Sequence, residues 1–330
     1  MARRLLLVFY SSLMILCITH SRDTYTIDLV QQRLRQLGYA SFRFNSDEFG
    51  TRYRLQYRLE HNGPQYLLQH GNTLIRASDI TGVWYRKLWD LEVPANLDPA
   101  YTAVFRKEYR TALLIFLDAL HVPWINSLHA DHAIGGNKLL QLAFAQASGL
   151  HVPRTVFSNH AADALQFYED CKGDVIVKLH GALSKTMDGA GAFFPTTRLR
   201  KEDTLMLDSL AACPMILQEH IHKEKELRIA YVDGTFYTGS LKAPDVTDWR
   251  ATVVQWEPYE LPDAEEEKID SMMRAMGLHF GAIDMIVQPD GKHLFLEVNP
   301  QGEWGMLQKY LGFPIAEAIA EKLVSRIKQG

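Results

Sequence analysis

The sequence predicts an α/β (α+β) protein with more than one lobe, and three patterns carry that expectation. Residues 14–39, MILCITHSRDTYTIDLVQQRLRQLGY, read as a buried strand, a polar loop and a helix, the first unit of an α/β domain. Residues 226–243 and 281–301 each read as alternating apolar runs about an Asp-Gly turn, at Asp233-Gly234 and Asp290-Gly291. Amphipathic spacing recurs over 106–120, 137–147, 264–276 and 314–327. With 330 residues the chain can hold two or three lobes and a substantial core. A hydrophobic content of 47% with net charge −4 is ordinary globular balance, without the basic excess of a nucleic-acid binder. Cys17, Cys171 and Cys213 are scattered, with neither metal spacing nor an even disulfide framework, which points to the reducing cytoplasm.

The N-terminus needs its own argument. Arg3-Arg4 and the apolar run 5–18 resemble a signal peptide, but the run is shorter than the roughly 20 residues of a membrane span. No small-residue cleavage site follows, and cleavage there would delete the first strand. The expectation is that residues 1–13 are an extension, or arise from an upstream start codon, ahead of a domain beginning at Met14. Within 14–125, residues 27–37 carry helical spacing closed by Gly38, 41–45 alternate as a strand, and 81–87 (TGVWYRK) form another. Residues 56–75 are mixed, with turn signals at Asn62-Gly63-Pro64 and Gly71-Asn72.

A second domain is expected over 126–330. It begins with a short strand at 122–126 and a helix opening on Lys138. Strands follow at 151–157, at 174–179 ending on Lys178, and at 215–221. Helices are expected at 161–168 and 205–210. Between Lys178 and the next strand lies a glycine-rich loop, 180–191, without the spacing of a Walker P-loop. By itself a lysine ending a strand is also what a solvated gatekeeper looks like.

The stretch with most chemistry is 281–301, GAIDMIVQPDGKHLFLEVNPQ. If Asp290-Gly291 is a two-residue turn, Pro289 faces Lys292, Asp284 faces Glu297, and Asn299 shares their side. Opposed carboxylates are destabilising unless something binds between them, and two carboxylates with an amide oxygen are hard ligands suited to Mg2+. A hairpin with a polar outer face remains the plain alternative. Glu226 and Arg228 fall on one face of the preceding hairpin, with Lys242 and Arg250 beyond it, cations able to hold phosphate oxygens or simply to form surface ion pairs. His129/His132 and His220/His222 are the close histidine pairs, and no acidic or Cys partner stands at zinc-like spacing from them.

Taken in order, Lys138, Lys178 with its glycine loop, Gln218-Glu219, Glu226-Leu227-Arg228, Asp284, Glu297 and Asn299 resemble the ATP-grasp ligases over about residues 126–330. FLEVNPQGEW, LGFPIAEAIAEKL, VWYRK and DWR look closest to the microviridin-type (graspetide) peptide maturases. The resemblance implies an ATP-grasp fold over 126–330, with a central lid subdomain about 126–215 and a C-terminal subdomain about 216–330. Residues 14–125 would be the pre-ATP-grasp α/β domain. It implies ATP and Mg2+ as cofactors: Lys138 and Lys178 on the phosphates, Gln218, Glu219 and Ile221 at the adenine, and Glu226 at the ribose. Arg228 and Arg250, with Lys242 a weaker candidate, would steady the γ-phosphate and acyl phosphate, and Asp284, Glu297 and Asn299 would ligate Mg2+. The implied reaction activates a side-chain carboxylate of a ribosomally made, leader-bearing precursor peptide, which a hydroxyl or amine then attacks to close a lactone or lactam. The implied setting is the cytoplasm, without membrane or nucleic-acid partners, and a homodimer is compatible with it. Two alternatives stay open: a ligase that adds glutamate or another amino acid, and a non-catalytic ATP-binding protein tethered to a membrane by residues 5–18.

Overall fold

In the computed structural model, residues 13–179, 196–241 and 255–329 are described. The chain divides into two compact units. One runs to Ser127 and takes back the chain from Pro314, and the other is Leu128–Phe313.

The first unit is built on β1 (Met14–Thr19), buried at every position. A strand covered on both faces has to be continuously apolar, which is why MILCIT shows no alternation. Helix α1 (Thr26–Gln36) follows and turns its Ile27, Val30 and Leu34 inward. Strand β2 (Ala40–Asn45) pairs parallel with β1. The short helix α2 (Phe49–Arg52) leads into β3 (Tyr53–Glu60), β4 (Gly63–His70) and β5 (Thr73–Arg76), an antiparallel meander with Gly63 and Gly71 at positive φ in its turns. Strand β6 (Ile80–Tyr85), helix α3 (Thr102–Asp118) and β7 (Trp124–Ile125) complete a parallel sheet of order β2-β1-β6-β7. The mixed segment is thus a small sheet of its own. The apolar run expected as a candidate tether is, from Met14 onward, the buried strand β1; residues 1–12 lie outside the described residues.

The second unit carries two antiparallel sheets. Helices α4 (Leu128–Gly135) and α5 (Lys138–Ala147) precede β8 (Thr155–Ser158), α6 (Ala161–Asp170) and β9 (Val175–Lys178). Then come β10 (Thr197–Arg198), a 3-10 segment (Glu202–Ala211) and β11 (Met215–Glu219), giving the sheet β10-β9-β11-β8. Ala164, Val175, Leu207, Leu210 and Leu217 form its core. The other sheet contains β12 (Lys225–Val232), β13 (Thr235–Leu241), β14 (Glu257–Pro258), β15 (Phe280–Val287) and β16 (His293–Asn299), in the order β14-β13-β12-β15-β16. Leu227, Ile229, Tyr231, Ile283, Met285 and Phe295 point to one face and meet Leu142 and Ala145 of α5 and Met272 and Met273 of α7 (Asp263–Ala275). Period-2 alternation therefore sends Glu226, Arg228 and Asp284 to the opposite face. Helix α8 (Gly305–Leu311) ends this unit.

The last helix, α9 (Ile315–Gln329), packs on α1 and β6 of the first unit. Its approach to β6 is close enough that a Cβ on Gly82 would lie 2.5 Å from Ile327 Cδ1. The amphipathic pattern announced a buried face without saying which surface would bury it.

Candidate active site

Every described candidate residue falls within the second unit, and the β15–β16 hairpin supplies its centre. The expected pairing of Asp284 with Glu297 is present, and so are Ile283 with Val298 and Ala282 with Asn299. The turn differs from the expectation. Gln288 N–H donates to the Lys292 carbonyl and the Gln288 carbonyl accepts from Gly291 N–H, leaving a three-residue loop, Pro289 to Gly291, with Gly291 at φ 84°. Met285, Ile286 and Val287 consequently pair one residue out of the expected register, with Phe295, Leu294 and His293. A bulge at Leu296 then inserts one residue in β16 and restores the register beyond it. Two single-residue departures cancel at the carboxylates.

Across the sheet, Arg228 of β12 sits directly opposite Asp284, which in turn faces Glu297. Arg228 Nη1 donates to Asp284 Oδ1 at 2.7 Å, and its Nε and Nη2 donate to the Glu303 carbonyl. Lys138 Nζ lies 2.8 Å from Glu297 Oε2. The repulsion expected between opposed carboxylates is thus offset by one cation for each. Helix α5 brings Lys138 into place. Asn137 caps the helix by accepting from Leu140 N–H. One turn on, the buried Gln141 donates to the carbonyls of Ile134 and Val298 and accepts from Val298 N–H. Its amide acts as a strand partner for β16, fixing the helix to the hairpin that carries Glu297.

Lys178 is the third cation. Burial, aided by Lys138 and partly countered by Glu297, lowers its pKa to about 8. Burial raises the Glu297 carboxyl, but Lys138 and Lys178 outweigh it and hold the group at about 2. Three cations around two carboxylates leave positive charge at a place where the lysine ammonium is already costly. That is the electrostatics of a site shaped for an anion.

The remaining candidates sort by what they touch. Gln218 is buried; its amide accepts from Lys178 Nζ at 3.0 Å and donates to Thr155 Oγ1 at 2.8 Å. Its side chain therefore positions Lys178. The Glu219 carboxylate accepts from Arg154 N–H, and Ile221 is half-buried just past β11. Glu226 is ion-paired with Lys223. Asn299 is exposed, and its Oδ1 accepts from Gln301 N–H. Lys242, Arg250 and the glycine loop 180–191 lie outside the described residues.

Gln141 escaped the sequence reading, and Gly302 stands within FLEVNPQGEW without a role read for it there. A Cβ at Gly302 would collide with Ala282 and lie 3.0 Å from the Asn299 carbonyl and 3.1 Å from Arg228 Nη2. Asp131 was also missed: burial, opposed by a hydrogen bond from Gln301 Nε2, pushes its carboxyl up to about 6. Gln141 and Asp131 are recognisable only through partners distant in sequence.

The donor set fits Mg2+ and a nucleotide. Asp284, Glu297 and Asn299 offer hard oxygens on one face, and Lys138, Lys178 and Arg228 border them with charge for phosphate oxygens.

The family model described as the MvdD pre-ATP grasp domain matches residues 14–132, and that of the RimK-like ATP-grasp domain matches 135–323. The macrocyclase MdnC of Microcystis aeruginosa MRC, solved with precursor peptide MdnA, is 32% identical over 94% of this chain and 99% of its own, with TM-score 0.85. Macrocyclase MdnB of the same organism is 35% identical with the same coverage and TM-score 0.82. A RiPP-associated ATP-grasp ligase of Chryseobacterium gregarium, solved with ADP and leader and core peptides, is 28% identical over 94% of this chain and 96% of its own, with TM-score 0.88. No curated protein matches the chain.

Proposed function

The chain belongs to the RimK-like ATP-grasp ligase family, and on that premise we propose that it closes side-chain lactone or lactam rings in a ribosomally made precursor peptide. The observation that carries this reading is likeness along the whole length of two macrocyclases, at 32% and 35% identity, including the preceding domain as well as the ligase core. Among the described residues no helix is long and apolar enough to cross a membrane, and β1 takes up the last five residues, 14–18, of the apolar run. We place the reaction in the cytoplasm, on a peptide that carries a leader segment.

In this reading Lys138 and Lys178 hold the α- and β-phosphates of ATP. Ile221 and the backbone at Gln218 and Glu219 border the adenine, and Glu226 meets the ribose. Asp284, Glu297 and Asn299 hold Mg2+, which when bound neutralises and orients phosphate oxygens. Arg228 and Arg250, and more weakly Lys242, steady the γ-phosphate. A precursor carboxylate attacks that phosphorus, ADP leaves, and a hydroxyl or amine of the same peptide displaces phosphate from the acyl phosphate. The protein contributes position and fixed charge, which is where this chemistry gains its rate.

The test is co-expression with the nearest short open reading frame, followed by intact-mass measurement of its peptide. Loss of one water mass per linkage is expected, with alkaline hydrolysis distinguishing ester from amide. An added amino-acid residue mass would replace ring closure with amino-acid ligation.

A further inference from the structure

We propose that Asp174, His220 and His222 form a binding site for a divalent transition-metal ion of the zinc class. The two histidines had no partner at zinc-like spacing in the sequence. The sheet supplies one: β9 and β11 are antiparallel with Val175 opposite Glu219, and one step further the backbone N–H of His220 donates to the Asp174 carbonyl at 3.0 Å. Asp174 therefore stands across from His220, and His222 follows two residues later.

The side chains converge. His220 Nδ1 lies 3.0 Å from Asp174 Oδ1, and His222 Nε2 lies 3.1 Å from Oδ2. The rings stand at 74° with centroids 5.1 Å apart, so they are edge-to-face and do not stack closed. One ligand atom from each residue lies within 4.8 Å of the others, close enough for small adjustments to gather them about one ion. Two imidazole nitrogens and one carboxylate oxygen suit Zn2+, Co2+ or Ni2+ and are a poor set for Mg2+. Three protein ligands leave a fourth position, and it faces solvent on the His222 side, where that side chain is 72% exposed.

Arg198 is the competing group, its Nη2 2.8 Å from Asp174 Oδ1. It is half exposed and sits on the edge strand β10, so it can keep one carboxylate oxygen while the other ligates, or withdraw to solvent. The ion would fasten the start of β9 to the chain leaving β11, the strands that carry Lys178 and Gln218. Binding at this site does not depend on the ligase reading.

The experiment uses untagged full-length protein, freed of metal with a chelator and then titrated with Co2+ in excess Mg2+. Visible d–d absorption at one equivalent, bleached by Zn2+, is expected. His222→Ala should weaken Co2+ binding about tenfold or more, whereas His129→Ala, in the other histidine pair, should leave it unchanged. Arg198→Gln, which removes the competing cation, should tighten it. Absence of the band, or one affinity shared by the native protein, His222→Ala and Arg198→Gln, would overturn the proposal. Should His222→Ala unfold, the Arg198→Gln comparison decides alone.

Discussion

Each unit of this protein contains a cluster of paired charge, and the two clusters are satisfied in different ways. In the first unit, Asp23 accepts from the hydroxyls of Thr19 and Thr26, with Arg86 3.9 Å away. Asp47 accepts from Ser21 N–H and Oγ, and Arg43 donates to the carbonyls of His20, Ser21 and Asp23. The partners are backbone groups and short hydroxyls, and the Asp23 and Arg86 side chains are 7% and 3% exposed. In the second unit, Glu297 and Asp284 are held by the ends of long cations and keep 33% and 30% exposure. A carboxylate fixed by backbone and short hydroxyls cannot exchange its partners without unfolding its surroundings. One held by a lysine ammonium can turn to an ion or a phosphate-bound metal at small cost. Partner type and residual exposure thus separate charge that holds the fold from charge available for binding.

Breaking the first cluster should have the largest effect. Asp23→Ala removes the acceptor for two hydroxyls and a carboxylate beside a buried guanidinium. The expected loss is about 3 kcal/mol of unfolding free energy in denaturant titrations, and a change under about 1 kcal/mol would remove the contrast. Glu297→Gln should act mainly on turnover: Mg2+-dependent ADP release lowered about 100-fold or more, with a smaller loss of stability than Asp23→Ala, because partial exposure screens the attraction of Lys138 and Lys178 for the carboxylate. Full activity in that variant would overturn the metal assignment. Gly302→Ala stands between the two, since its Cβ strikes Ala282 and crowds Arg228 and Asn299 together. It should cost about 1–3 kcal/mol and lower turnover as Arg228 shifts, and a fully active, fully stable variant would show that this turn yields freely.

These variants also measure how far the sequence could be read. Asp284, Glu297 and Asn299 could be placed on one face because a period of two survives a one-residue error when a second error cancels it. The bulge at Leu296 carries no Gly or Pro to mark it, and the three-residue loop hides within Pro-Asp-Gly, which also suits a shorter turn. Buried β1 was legible because its apolar run is unbroken. Gln141 was not: a glutamine in an amphipathic helix reads as surface, and only the edge of β16, 157 residues away, makes it a buried partner. Asp174 and His220 pair for the same reason, through a strand register that local composition does not encode. Helix α9 showed its apolar face in sequence, while the surface receiving it belonged to the start of the chain.

The smallest expected effect tests Lys178 and the sense of the charge argument. Its pKa is depressed to about 8, chiefly by burial, so in the free protein the ammonium loses its proton as pH rises through that value. A phosphate anion binds the protonated form and raises the pKa again. ATP affinity should therefore be flat below about pH 8 and fall above it, approaching tenfold per pH unit until the pKa of the bound state is reached. Stability follows the opposite sign: the unfolded lysine stays protonated to about pH 10.5, so between these values the unfolded chain binds more protons and this site's contribution improves with pH. Calorimetric ATP titrations from pH 7 to 10, a range set by these pKa values, with Lys178→Met as reference, read the first effect directly. The variant should bind more weakly at neutral pH and lose the slope. A slope that persists without Lys178 would move the titrating group elsewhere.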